Sequence, residues 1–190
     1  MSNPAPGELE TIRSFVNTWD VDDGTDAIST PDALREWLVD QGLLEADAKV
    51  TSTDQRRAVG VREALRATLR AHHGGHEEQC VDDALCDASE RAKLQVLFDK
   101  DGNSRLVPAA GGVDGALGKL LTIVHEADRD GQWVRLKVCP ADDCQWAFYD
   151  QSRNRSATWC DMKVCGNREK ARRHYHRERS AARSGRRTVH

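Results

Sequence analysis

The sequence has no long apolar run and no export signal. No stretch approaches the roughly 20 apolar residues that a membrane-spanning helix needs. Residues 1–7 contain neither the basic nor the apolar segment of a secretory signal, so we expect a cytoplasmic protein without a membrane partner. Repeats are also missing, as are low-complexity segments before the basic C-terminus. These absences favour an ordinary globular protein.

The short motifs of common enzymes are missing as well. The sequence has no glycine-rich phosphate loop, no nucleophile elbow and no His-Glu zincin pattern. Acidic residues are plentiful, but plentiful carboxylates do not make a catalytic pair. We therefore expect a binding protein rather than an enzyme, with no catalytic residue and no bound organic cofactor.

What the chain does have is a strong charge asymmetry. Its 190 residues carry a formal net charge of −3. Residues 1–134 hold 14 basic and 25 acidic side chains, whereas residues 135–190 hold 14 basic and 6 acidic side chains. The net charges of the two parts are therefore −11 and +8. This asymmetry predicts two functional regions, of which the second suits a polyanion.

The apolar spacing of residues 1–131 predicts a mostly helical acidic domain with one β-hairpin. Helices are expected from residue 9 to an end near 17–22, from Thr30-Pro31 to Gly42, from Thr53 to Gly74-Gly75, near 81–88, and from Gly111-Gly112 to Asp130-Gly131. The hairpin is expected at 94–98 and 105–108, and a loop is expected over 20–30. Asn17 and Thr18 either line an effector pocket or bond the end of the first helix.

Four of the six cysteines have the spacing of a metal site. Cys139 and Cys144 form one C-x4-C pair, and Cys160 and Cys165 form another after 15 residues. Two such pairs bring four thiolates to one tetrahedral zinc ion, and a filled coordination shell indicates a structural role. Disulfides fit poorly without an export signal, whereas an iron–sulfur cluster uses the same donors. The prediction is one structural Zn²⁺ per chain.

The sequence after Cys165 predicts a basic helix that binds nucleic acid. Short strands are expected at 134–138 and 146–149, within a zinc module at 132–183, and residues 184–190 are expected to form a basic flexible tail. Basic side chains recur on one face of the helix and could neutralise phosphates. The candidate contacts are Arg168, Lys170, Arg172, Arg173, Arg177, Arg179 and Arg183.

A second group of metal-ligand residue types is not expected to form a site. Gly74-Gly75 interrupt the helical register between the histidines, so a surface loop is the better interpretation. The group consists of His72, His73, His76, Cys80 and Cys86.

The sequence resembles the CGNR zinc-finger family with an ABATE-type N-terminal domain. The resemblance rests on Cys165-Gly166-Asn167-Arg168, Cys139-Pro140, Phe148-Tyr149-Asp150 and Trp159-Cys160, and on Phe15-Val16-Asn17-Thr18, Thr30-Pro31, Trp37-Leu38 and Gly42-Leu43. It implies an α+β N-terminal domain followed by a small treble-clef-like zinc module with two short strands and a C-terminal helix. Ala157-Thr158 depart from the family pattern, which often has two arginines there.

The resemblance also implies a function. Family members are regarded as bacterial transcription regulators linked to stress, so duplex DNA is the expected partner. The N-terminal domain would sense an unknown small-molecule effector or mediate assembly. Asn167 and Arg168 either contact nucleic acid or support the metal site. The alternative function is a protein- or RNA-binding module with a structural zinc, although the few aromatics near the helix disfavour stacking on single-stranded RNA.

Overall fold

The computed structural model describes residues 4–73, 83–172 and 175. Its helices are α1 (Leu9–Val16), α2 (Pro31–Asp40), α3 (Ser52–Ala71), α4 (Asp83–Ala92) and α5 (Gly112–Arg129). Its antiparallel hairpins pair β1 (Trp19–Asp20) with β2 (Thr25–Asp26), β3 (Leu94–Phe98) with β4 (Ser104–Pro108), and β5 (Leu136–Val138) with β6 (Ala147–Tyr149). A π-helical turn, Met162–Gly166, leads into a helical segment at 167–172, which we call the C-terminal helix. The expected α+β class is confirmed.

The helix boundaries follow from local capping. Thr30 begins α2 as expected, because its Oγ1 accepts a hydrogen bond from the amide of Ala33 at 3.2 Å. The expected start of α3 at Thr53 is wrong by two residues. Thr51 is the cap, since its amide donates to the Asp54 carboxylate at 2.8 Å and its hydroxyl accepts from the Asp54 amide. The expected end at Gly74-Gly75 lies outside the described residues.

Two stretches differ from the sequence interpretation. The segment expected as a loop over 20–30 contains part of the β1–β2 hairpin. Asp26 orders it, because its carboxylate accepts from the amide of Ile28 and from Arg62 of α3 at 2.7 Å. The strand expected at 134–138 begins only at Leu136, because a 3-10 turn at Trp133–Arg135 instead buries the Trp133 ring.

One apolar core joins the helices to the C-terminal hairpin. It is centred on fully buried side chains of α1, α2, α3 and α5, and it also includes Leu136, Val138 and Ala147 from β5 and β6. A second, smaller cluster surrounds Cys139 and Cys165. Packing therefore continues across the predicted domain boundary at 131–132, and the predicted tail at 184–190 lies outside the described residues.

Exposed apolar side chains are found on one hairpin. The β3–β4 hairpin exposes Val96 and Phe98, the latter with 73% of its surface accessible. Among the helices in the described ranges, none combines the length and apolarity that crossing a bilayer requires.

Candidate metal centre and nucleic-acid interface

The first cysteine pair lies in the turn between β5 and β6. The amide of Cys139 donates to the carbonyl of Trp146 at 2.9 Å, which closes the end of the hairpin. The amides of Cys144 and Gln145 both donate to the carbonyl of Ala141, at 3.0 and 3.1 Å. Gln145 adopts a φ of 52°, which turns the chain back into β6. The hairpin therefore places both thiols on one side of the turn.

The second pair lies at the π-helical turn, with Cys160 before it and Cys165 within it. Asp161 caps this turn, because its carboxylate accepts from the amides of Lys163 at 2.7 Å and Val164 at 3.2 Å. The amide of Cys165 bonds back to the Asp161 carbonyl at 2.9 Å. Gly166 follows because the chain is crowded here: a Cβ at this position would lie 2.5 Å from the Met162 sulfur and 3.2 Å from the Trp159 ring. A side chain at the glycine of the Cys-Gly-Asn-Arg motif would therefore displace Met162 and press on the Trp159 ring.

The two pairs meet with tetrahedral spacing. All four sulfur atoms lie within 4.8 Å of one another. Cys144 and Cys160 are 3.5 Å apart, and Cys160 and Cys165 are 3.7 Å apart. Zinc–sulfur bonds of about 2.3 Å give a tetrahedron with edges of about 3.8 Å. The arrangement fits one structural zinc ion held by thiolates, with no position left for substrate.

Without a cation, the mutual contacts of the thiols disfavour ionisation of all four. Hydrogen bonds from Cys144 and Cys160 lower the pKa of Cys139 to about 2. The same arrangement raises the pKa of Cys144 to about 12, because its thiol donates to the Cys139 sulfur. The pKa of Cys160 is also raised, as ionisation there would break its bonds to those two sulfurs and place charges together. Four thiolates coexist only when a positive ion neutralises them.

A buried ion pair holds the loop that leads to the second cysteine pair. Lys137 on β5 lies 2.8 Å from Asp150, and Lys137 is 4% exposed and Asp150 fully buried. The lysine also donates to the carbonyls of Arg155 and Ala157, while Asp150 accepts from Ser152 and the Ala157 amide. This network fixes the loop that leads to Cys160. Sequence reasoning missed this ion pair, although a lysine between Leu136 and Val138 in a predicted strand indicated a buried charge that needs a partner.

The predicted nucleic-acid contacts are only partly within the described residues. Arg168, Lys170 and Arg172 lie on the C-terminal helix, with Lys170 and Arg172 exposed. The remaining candidates, Arg173, Arg177, Arg179 and Arg183, lie outside the described part of the chain. Lys163, in the turn before this helix, is also exposed. Sequence reasoning missed this lysine, because the turn that places it beside the helix could not be predicted from the sequence.

Arg168 and Arg172 share one carboxylate partner. Both guanidinium groups reach Asp143, in the loop between the first two cysteines, at 3.0 and 3.1 Å. Arg168 also lies 3.7 Å from Asp22. The hydrogen bond from Arg168 keeps the pKa of Asp143 below its usual value, and the pKa of Arg168 is raised in return. These ion pairs tie the C-terminal helix to the zinc loop.

Asn167 makes a local bond. Its side-chain amide donates to the carbonyl of Lys163 at 3.1 Å, which ties it to the preceding turn. Asn167 and Arg168 thus both bond to residues near the metal centre.

Side chains of the helical domain hydrogen-bond to main-chain atoms of the zinc module. Asn17 pairs with both backbone groups of Ala147, at 2.7 and 3.0 Å. Arg66 of α3 donates to the carbonyls of Val16, Trp19 and Gln145. Burial lowers the pKa of this guanidinium, although its bond to Glu63 opposes the shift. Of the two residues for which a bond to the end of α1 was an alternative, Thr18 makes one, from its hydroxyl to the Phe15 carbonyl at 2.8 Å, whereas the Asn17 side chain bonds β6 instead.

Two of the histidines that were not expected to bind metal bond the zinc module to α3. His72 lies 2.7 Å from the Leu136 carbonyl and His73 lies 2.6 Å from the Val138 carbonyl. The described part of the chain contains one cysteine- and histidine-type metal cluster, the four-cysteine set. Cys86 is exposed on α4, and His76 and Cys80 lie outside the described residues.

Fold and metal centre define a two-part protein, in which a four-cysteine zinc module is joined to a mostly helical domain. The model of the ABATE family, described as "Putative stress-induced transcription regulator", matches residues 11–130, and the model of the CGNR zinc finger matches residues 135–178. The first match covers more than half of the chain, which therefore belongs to the ABATE family. The expected family and zinc cofactor are confirmed. No curated protein matches the chain.

Proposed function

We propose that the protein is a DNA-binding transcription regulator and not an enzyme. Its zinc module would bind duplex DNA, and its N-terminal domain would sense a small molecule or mediate assembly. Support comes from the family description, the zinc-finger match and the charge of +8 on residues 135–190.

The observation that carries the proposal is the position of the C-terminal helix. Its start is fixed by Cys165, one of the four clustered cysteines, and by the ion pairs to Asp143. Lys163, Lys170 and Arg172 remain exposed around this anchored end. A rigidly held helix with outward cations can follow a DNA groove with little loss of conformational entropy on binding.

The described contacts support a division of roles among the basic residues. Arg168 bonds to Asp143 and would orient the helix, whereas the exposed lysines Lys163 and Lys170 would neutralise phosphates. Arg172 would serve both purposes, since it is 46% exposed while bonding to Asp143. Phosphate contacts of this kind give affinity that falls as salt rises.

The test is selection of bound duplexes from a random library with the zinc-loaded full chain, followed by anisotropy titrations. We expect the selected duplex to bind at least about 10³-fold more tightly than a scrambled duplex. The logarithm of affinity should fall steeply and linearly with the logarithm of salt concentration. Equal affinity for the selected duplex, the scrambled duplex and heparin would contradict sequence-specific regulation.

Paired variants locate the surface. Lys163→Ala combined with Lys170→Ala should weaken binding to all duplexes and reduce the salt slope by about two, because each phosphate contact contributes about 0.9. Zinc content should not change. Arg129→Ala is the matched control, since this arginine is exposed at the end of α5 in the helical domain. Equal losses in the variant and control would place the DNA surface elsewhere.

The alternative partner classes are tested in the same format. Structured RNA and single-stranded RNA replace the duplex, and preference for either over selected DNA would favour the RNA-binding alternative. An assembly role has its own supporting observation in the exposed β3–β4 hairpin. Light scattering should then show an oligomer that dissociates in the Val96→Ser, Phe98→Ser double variant.

A further inference from the structure

A groove in the helical domain combines an apolar floor with a cationic rim. It lies where α4 packs against α3 and α5, and its volume is about 300 Å³. The floor includes Val61, Ala88 and Leu117, all at least 96% buried as residues, and Arg56, Arg57 and Arg91 stand around it. A volume of this order accommodates a small organic molecule.

One guanidinium at the rim of the groove bonds a neutral partner. Arg57 lies 3.0 Å from Asp114 and also bonds Asp54, and Arg91 lies 2.9 Å from Asp87. Arg56 bonds the hydroxyl of Thr53 at 3.0 Å, which is a neutral partner. Within the described ranges, no carboxylate pairs with Arg56. Asp54, Asp87 and Asp114 thus pair with Arg57 and Arg91, and Arg56 is the guanidinium of the three that is left to pair with a single negative charge on a ligand.

We propose that this groove binds a small monocarboxylate with an aromatic or branched aliphatic body. The inference deepens the proposed sensing role of the N-terminal domain and rests on it. Helix α3 contacts both the groove and the zinc module. Arg56, Arg57, Gly60 and Val61 line the groove, and Arg66, five residues beyond Val61 on α3, bonds the zinc module.

The binding test uses defined probes and protein without DNA. Benzoate, isovalerate, benzamide and benzylamine are titrated into the zinc-loaded chain and followed by amide chemical shifts. We expect benzoate to bind with a Kd of about 0.1–1 mM and to shift Gly60, Ala84 and Ala88. Benzamide should bind at least about tenfold more weakly, and benzylamine should not bind, because charge decides the preference.

Two variants and a control decide the location. Arg56→Gln should abolish the preference for benzoate over benzamide. Gly60→Leu should block both probes, since among the described residues the nearest atom to a Cβ at Gly60 is the Ala84 methyl at 3.7 Å, and a longer side chain would fill the groove. Arg35→Gln is the control, because Arg35 forms a comparable i,i+3 pair with Asp32 on α2 outside the groove.

The outcomes separate this inference from the proposed function. Equal binding of benzoate and benzamide, shifts centred outside the groove, or unchanged preference in Arg56→Gln would overturn the inference. DNA affinity with and without saturating benzoate is then measured separately. Loss of DNA binding altogether would refute the proposed regulator while leaving the binding result for the groove intact.

Discussion

At the scale of single residues, the buried Lys137–Asp150 pair should be highly sensitive to substitution. Burial opposes ionisation of Asp150, but bonds from Lys137 and Ser152 outweigh it and lower its pKa. Asp150→Ala would leave the buried lysine unpaired, so the free energy of unfolding should fall by about 3–5 kcal/mol. Urea denaturation of the zinc-loaded protein measures this. Asp32→Ala, which breaks an exposed pair, should change it by less than about 1 kcal/mol; similar losses would refute the distinction.

His72 should make stability depend on pH. Burial lowers its pKa below the usual 6.5, and its bond to Leu136 offsets only part of that shift. The unfolded chain therefore binds the proton more readily, so stability is highest above about pH 6.5 and falls as the pH drops through the lowered pKa. One proton contributes at most about 1.4 kcal/mol per pH unit. With saturating zinc, His72→Gln should flatten this profile between about pH 7 and 5.5; parallel profiles would contradict it.

At the scale of elements, α3 connects the helical domain to the zinc module. Arg66 donates to carbonyls of α1, β1 and the loop before β6, so Arg66→Met would leave three acceptors without this donor. We expect a loss of about 2–4 kcal/mol in unfolding free energy and faster amide hydrogen exchange over 136–149. Arg70→Met is the control, because the exposed Arg70 makes a side-chain bond to Gln145 at 2.7 Å. Unchanged exchange in Arg66→Met would refute this docking role.

The elements also show what sequence could and could not predict. Helices α2 and α5 and the β3–β4 hairpin followed from periodicity and turn residues, since those signals are local. The cysteine spacing likewise predicted the metal centre, because each pair is closed by a short turn. The β1–β2 hairpin could not be predicted, as a distant arginine, Arg62, orders it. The docking histidines depend equally on partners more than 60 residues away.

Zinc removal should affect more than the module that contains the metal. Because Leu136 and Val138 belong to the main core, Cys160→Ser should lose zinc and also lower the melting temperature of the whole chain. Metal analysis and thermal unfolding check both effects. Cys86→Ser removes an exposed thiol on α4 and should retain zinc and melting temperature. Stoichiometric zinc with an unchanged melting temperature in Cys160→Ser would refute the metal centre.

At the scale of the whole molecule, the acidic and basic regions meet at the start of the C-terminal helix. Asp143 and Asp22 lie beside Arg168, and Asp143 also pairs with Arg172. These carboxylates neutralise two of the cations expected to face DNA. They also repel phosphate at this surface, so non-specific association should be weaker than it would be if Arg168 and Arg172 had no carboxylate partners.

This arrangement predicts that removing one negative charge strengthens DNA binding. If the proposed function holds, Asp143→Asn should raise affinity for duplex DNA and steepen the salt slope by about one to two, as Arg168 and Arg172 become free to pair with phosphates. Asp142→Asn is the matched control, because the neighbouring carboxylate is exposed and has the same charge. Anisotropy titrations over a range of salt concentrations, with zinc content verified for both variants, measure the difference. Equal slopes for the two variants would show that the Asp143 pairs do not compete with DNA and serve only to hold the helix on the zinc loop.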